Sequence, residues 1–306
     1  MKKTLIALTL AATGVSSGAY AAQTLQWQTG ELTTNNAFNL GGTFYSANHF
    51  NGQWQWAVGT AIAGINSKLG DIVTTDNTYK LSIMMTSGYG YILLGKTERA
   101  FGSPLPGGVG AIPQITFKGA DNTPVSIVPD TSTPGKGSIT IPLMQGSTST
   151  TTQQLGTAKL NISYAGLALD GTKNSSTDTA GAVTATSLYS AGATSGIFFG
   201  GLPTADTNVL NSASTALDLI AKFSGPAQSE LVNQIKTALS LSAEPAVSLQ
   251  TSASQENTQH DGITSVFAAA YALGFGPQQK LDLTFTNKPT ATTEWKAPLQ
   301  IEVSYN

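Results

Sequence analysis

The chain of 306 residues contains no cysteine. Disulfides, which small exported domains commonly use to compensate for a thin core, are excluded as a source of stability. Thiolate zinc sites and thiol nucleophiles are excluded with them. Charge is scarce as well. Asp, Glu, Lys and Arg make up 10% of the residues, against roughly a quarter in an ordinary soluble domain. Ser, Thr, Asn and Gln must therefore carry the polar surface, and their hydrogen bonding does not vary with pH or salt. That suits an extracellular polymer without requiring one. No basic patch is present, so nucleic acid is excluded as a partner.

Long apolar runs are missing too. The first residues carry Lys2 and Lys3, then LIALTLAA at 5–12, then the small-x-small triplet Ala19-Tyr20-Ala21. This is the layout of a secretory signal, with cleavage expected between Ala21 and Ala22. The apolar stretch is far shorter than the roughly 20 residues that span a bilayer. Without Lys2 and Lys3, 13 of the 15 basic residues remain against 17 acidic ones, a net charge of −4 for residues 22–306.

Catalytic and metal-binding motifs are also lacking. The two histidines, His49 and His260, form no ligand pair by spacing, and no H-E-x-x-H occurs. His260, just before Gly262, reads as a turn histidine. There is no G-x-S-x-G elbow. The pairs Gly108-Val109-Gly110 and Gly274-Phe275-Gly276 lack the third glycine of a dinucleotide fingerprint. Asp170-Gly171 followed by Asp178 does not have the ligand spacing of a calcium loop. No catalytic residue, metal or cofactor is expected.

What the sequence does contain is period-2 alternation. Trp54, Trp56 and Val58 share one face, as do Leu81, Ile83 and Met85, and Ile139, Ile141 and Leu143. Ala158, Leu160, Ile162 and Tyr164 alternate with Lys159, Asn161 and Ser163, and Leu281, Leu283 and Phe285 with Asp282 and Thr284. Successive side chains of a strand point to opposite faces, so these are half-buried antiparallel strands. Turns rich in Gly and Pro separate them, and the whole predicts a β-sandwich. The middle differs. Residues 166–185, rich in Ser, Thr, Gly and Ala, read as a long exposed loop. Residues 226–241 predict a helix, with Leu231, Ile235 and Leu239 on one face and Pro226 in the first turn, and 217–223 a shorter one. A mainly β framework thus carries an inserted segment with some helix at about 166–260.

The two ends hold the candidate interaction residues. Leu32, Thr34, Asn36, Phe38 and Leu40 recur at a spacing of two before Gly41-Gly42 breaks the run. This segment is either an edge strand of its own domain or a strand donated to a neighbour, whose alternate side chains would fill pockets while its backbone completes a ladder. At the other end Leu299, Ile301, Val303 and Tyr305 form an apolar face, a candidate edge of the receiving groove. An open edge aggregates unless something covers it. From the residues alone, an outer-membrane β-barrel and a secreted hydrolase also stay open. The helix at 226–241 and the short strands disfavour the barrel, and the empty motif search disfavours the hydrolase.

An ordered set of segments resembles a known family. Ile92-Leu93-Leu94-Gly95-Lys96-Thr97-Glu98-Arg99-Ala100-Phe101, running into PLPGGVGAIPQITF, is similar to the same region of FaeG-type major fimbrial subunits, the kappa class of chaperone–usher fimbriae. Trp54-Gln55-Trp56, Ser163-Tyr164-Ala165-Gly166, Ile197-Phe198-Phe199-Gly200-Gly201-Leu202, Ala269-Ala270-Tyr271-Ala272-Leu273-Gly274 and the ending Trp295…Tyr305 follow in the family's order. The resemblance implies an incomplete immunoglobulin-like β-sandwich, missing its final strand. A periplasmic chaperone first fills the gap. At an outer-membrane usher, the N-terminal extension of an identical subunit then replaces it. It further implies a fimbrium on the bacterial surface whose major subunit is itself an adhesin for a host glycan or glycoprotein. On this reading residues 1–21 are the signal, 22–42 the donor extension and 43–306 the pilin domain. Thr293 stands where many related pilins carry glycine, and Ser195 where sugar-binding relatives have a basic residue. Tyr189 is the aromatic candidate for a receptor contact.

Overall fold

In the computed structural model, the residues described are 28–29, 31–32, 37–38, 46–47, 53–62, 65–75, 78–85, 88–102, 112–146, 153–190, 192, 196–256 and 260–305. The framework strands are β1 (Trp54–Val58), β2 (Thr78–Met84), β3 (Gly90–Thr97), β4 (Pro113–Gly119), β5 (Lys136–Gln145), β6 (Gln154–Thr172), β7 (Ala182–Ser187), β8 (Ala246–Leu249), β9 (Ser265–Phe275), β10 (Lys280–Phe285) and β11 (Leu299–Tyr305). Two helices, α1 (Ala213–Lys222) and α2 (Gln228–Ala238), lie between β7 and β8.

The organising element is β6, 19 residues long. Its first half is bordered by β5, which pairs along 154–163, and by β10, which pairs along 156–160. Its second half is bordered by β9 along 163–172 and by β7 along 167–172. The main sheet continues outward from β9 to β3 and β1, and from β10 to β2. A second sheet is built on the antiparallel pair of β4 and β11. The protein is mainly β, a sandwich of antiparallel sheets with two helices, as the alternation predicts.

The change of partners along β6 explains its sequence. In the first half Ala158, Leu160 and Ile162 are buried and Lys159 is exposed, because one face is covered. From Ser163 to Leu169 every residue is buried. Tyr164 and Ala168 face the sandwich interior, packing in one cluster with Phe198, Tyr271 and Ile301. Ala165, Leu167 and Leu169 face the other way, in a second cluster with Ile220, Leu231 and Ile235 from the helices. A strand covered on both faces loses its alternation and reads as a continuous apolar run.

Here the structure corrects the sequence reading. Residues 166–172 finish the central strand and 182–187 form β7, so the exposed turn is confined to residues near 173–181 rather than filling 166–185. At Gly171 a small residue is needed because helix α2 approaches the sheet closely. A Cβ on Gly171 would lie 2.1 Å from Ile235 Cγ2.

Both helices form where a helical pattern was expected, with shorter bounds for the second. The Ser212 hydroxyl caps α1 by accepting from the Thr215 N–H at 3.2 Å, which satisfies one of the otherwise unpaired N-terminal amides. Leu231 and Ile235 of α2 are fully buried against the sheet. Gln234 donates to the Thr97 carbonyl at 2.8 Å, and the Thr97 hydroxyl donates back to Gln234 at 2.6 Å.

The close approach at Gly171 generates a test. Gly171→Ala should force α2 outward and destabilise the fold by about 1–3 kcal/mol, the usual cost of overpacking. A lower midpoint of chemical denaturation with an unchanged slope is the expected readout.

Candidate functional site: the C-terminal strand and its two edges

In β11 Leu299, Ile301, Val303 and Tyr305 are all buried, while Gln300 and Glu302 are half-exposed and Ser304 exposed. The four apolar residues expected from the sequence therefore share one face, turned into the sandwich interior. One edge of β11 pairs with β4 along its whole length, from Leu299 opposite Gly119 to Tyr305 opposite Pro113. Lys118 and Glu302 form a partly exposed ion pair across this ladder at 2.9 Å. At the far end of the strand the Trp56 indole N–H donates to the Tyr305 hydroxyl at 2.8 Å. This buried bond ties the second sheet to β1 of the first.

The other edge of β11 takes the N-terminal segment. Leu32 pairs with Val303, Phe38 with Leu299 and Ala37 with Gln300, all antiparallel. Of the five candidate donor positions, Leu32 and Phe38 are thus set opposite two members of the apolar set of β11. Their positions differ by six in the N-terminal segment but those of their partners by only four, so the match is not one regular ladder. Glu31–Leu32 also pair with Ser46–Ala47. Thr34, Asn36 and Leu40 lie outside the described residues, as do Ala21 and Ala22.

Tyr189 is half-buried and packs against the sandwich core, with its N–H donating to the Ser254 carbonyl at 3.1 Å. Ser195 lies outside the described residues. The neighbouring Ile197 and Phe198 are buried. Phe198 meets Trp54 edge-on at 5.5 Å and Tyr271 at 5.1 Å between ring centroids.

The comparisons with known proteins concern the whole chain. The family described as "Fimbrial, major and minor subunit", the K88 fimbrial family, matches residues 1–306. The chain belongs to this family. The subunit is 34% identical over 306 residues to K88 fimbrial protein AC of Escherichia coli, with both chains covered completely. It is 33% identical to K88 fimbrial proteins AB and AD of the same organism, again over the full length of each. The resemblance read from the segments around Trp54, Ile92, Ile197 and Trp295 is thereby shown, and the chain is a fimbrial structural subunit. Among the described residues no helix is long and apolar enough to cross a membrane.

One grouping in the subunit went unseen in the sequence. The turn histidine His260 is buried, and its imidazole Nε2 lies 3.0 Å from Asp170 and 3.6 Å from Glu256. Burial alone would lower its pKa, but hydrogen bonding and attraction to the two carboxylates outweigh that and raise it to about 9. No spacing rule joins positions 170, 256 and 260. The β6–β9 pairing brings Asp170 opposite Phe267, seven residues beyond His260.

The Trp56–Tyr305 bond carries a prediction. Tyr305→Phe keeps the ring but removes the acceptor and leaves a buried indole N–H unpaired, at a cost of about 1–3 kcal/mol. Denaturation of the variant should begin at lower denaturant, and a midpoint equal to the parent's would show that the bond contributes nothing.

Proposed function

We propose that the subunit is the major structural component of a bacterial surface fimbria, polymerises by donor-strand exchange, and is itself an adhesin for a host glycan or glycoprotein. The observation that carries the assembly reading is the pairing of 31–32 and 37–38 with β11, antiparallel and with Leu32 and Phe38 opposite Val303 and Leu299. A strand edge binds an extended segment through main-chain hydrogen bonds, while alternate side chains give selectivity. The same edge accepts that segment equally from its own chain or from the next subunit.

Donation in trans makes each subunit both giver and receiver, which is what a linear fibre needs. Each apolar donor side chain that becomes fully buried contributes roughly 1.5–3 kcal/mol. Three of them, Leu32, Phe38 and Leu40, approach the net stability of a typical domain, roughly 5–15 kcal/mol. A subunit whose edge is bare is then prone to aggregate. This gives a periplasmic chaperone its role before assembly, and an outer-membrane usher the role of exchanging one strand for the other. Export follows from the signal-like residues 1–21.

The absence of cysteine makes a direct test clean. Residues opposite each other on antiparallel strands have Cβ atoms roughly 4.5–5.5 Å apart, close to what a disulfide accepts. Fibres carrying Leu32→Cys together with Val303→Cys should oxidise to a ladder of covalent multimers on denaturing gels. A covalently closed monomer from assembled fibres would mean that the strand stays in its own chain, and the exchange reading would fail.

The receptor reading is supported by the aromatic character of Tyr189 and by the usual placement of recognition on loops above a rigid sandwich. Tyr189→Ala fibres should assemble normally and adhere less to host cells. Unchanged adhesion would remove Tyr189 from the receptor site, whereas failed assembly would assign it to the core.

A further inference from the structure

We propose that Asp170, Glu256 and His260 form a binding site for a divalent transition-metal cation, with zinc as the representative ion. The inference is independent of how the fibre assembles.

Asp170 sits near the end of β6, between Phe267 of β9 and Thr184 of β7. It is a carboxylate in an interior strand position, with a side chain 22% exposed. Two groups from the chain ahead of β9 close over it. The Glu256 side chain is 11% exposed and the His260 side chain 0%. The Phe267 ring stacks on the imidazole at 5.6 Å and an interplanar angle of 29°, giving the site an apolar wall. Both carboxylates converge on the same nitrogen, Nε2. A ring nitrogen carries at most one hydrogen, so a proton there has only one well-directed bond to offer. A metal ion is coordinated by all three groups at once, and its two positive charges cancel the two carboxylates.

The spacing also suits a cation. Zinc binds imidazole nitrogen and carboxylate oxygen at about 2.0–2.2 Å in tetrahedral geometry, which sets ligand atoms roughly 3.3–3.5 Å apart. The observed separations from Nε2, 3.0 and 3.6 Å, bracket that range, and all three ligand atoms lie within 4.8 Å of one another. The nitrogen–oxygen donor set favours a transition metal over calcium, which prefers oxygen alone.

Asp261 is adjacent in sequence but serves another purpose. Its carboxylate accepts from the N–H groups of Ile263, Thr264 and Ser265 at 2.7–2.8 Å. The Thr264 hydroxyl and these amides hold its pKa well below the usual carboxylate range. It builds the turn that leads from His260 into β9, which fixes the imidazole over Asp170. A bound ion would pin this turn to the end of β6, as a disulfide does in a cysteine-containing protein.

The test uses the full chain without an affinity tag, stripped by a chelator and then titrated with zinc chloride at pH 7.5. One zinc per chain should remain after dialysis, and excess zinc should raise the thermal midpoint. Glu256→Gln and Asp170→Asn should each weaken zinc affinity at least tenfold, His260→Gln should abolish retention, and calcium chloride should have no effect. Glu256→Gln decides the matter if His260→Gln does not fold. Failure of the parent protein to retain zinc would overturn the proposal, as would equal retention by a folded Glu256→Gln variant. In either case the three side chains form a proton-held ion cluster and nothing more.

Discussion

The pairing of both edges of β6 constrains everything around it. A buried strand must find hydrogen-bond partners for its amides and carbonyls on both sides, and β6 does so with four different neighbours along its length. Each handover fixes something else. Where β5 and β10 give way to β7 and β9, both faces become apolar, so the far face has to be covered. Helices α1 and α2 supply that cover through Ile220, Leu231 and Ile235. The region after β7 is consequently part of what the central sheet requires, and its second cluster is buried as the first is.

Much of this fold was legible in the sequence, and the failures have one physical origin. Period 2 reports a strand with one wet face. It located β1, β2, β5, the first half of β6, β10 and β11, in each of which an apolar set at a spacing of two packs on the core. It failed for residues 166–172 and 182–187, where Gly166–Leu169 and Ala185–Ser187 are buried without alternation. Gly166, Ala168 and Gly171 are small because neighbours come close, not because the backbone is exposed. Composition does not separate a crowded strand from a solvated loop. The helix signals survived because Leu231 and Ile235 keep the spacing of a one-sided helix whatever covers the other side.

The interaction residues divide in the same way. The face formed by Leu299, Ile301, Val303 and Tyr305 was legible, since it is local and periodic. Which strand meets its second edge was not, because register between positions 32 and 303 is a tertiary fact. The Asp170–Glu256–His260 group is harder still. Its members come from the end of one strand and from the approach to another, and only the β6–β9 register unites them. Tyr189 is ambiguous in a different way. An aromatic in a polar stretch suggests a contact surface, yet its ring also packs on the core.

The bond from Trp56 to Tyr305 spans 249 positions, and Tyr305 closes β11, which follows every other framework strand in the chain. Closing a loop of that size costs on the order of 5 kcal/mol in chain entropy if the chain is otherwise flexible, by the logarithmic rule. The main sheet can gather around β6 and β9 while the chain is still arriving, but the second sheet has no centre until β11 is delivered. Synthesis runs from the N-terminus. The Trp56 indole N–H waits for its partner until then, although Phe198 and Tyr271 can already pack on the ring, so the order of delivery, as much as the final energy, decides when the molecule ceases to be vulnerable.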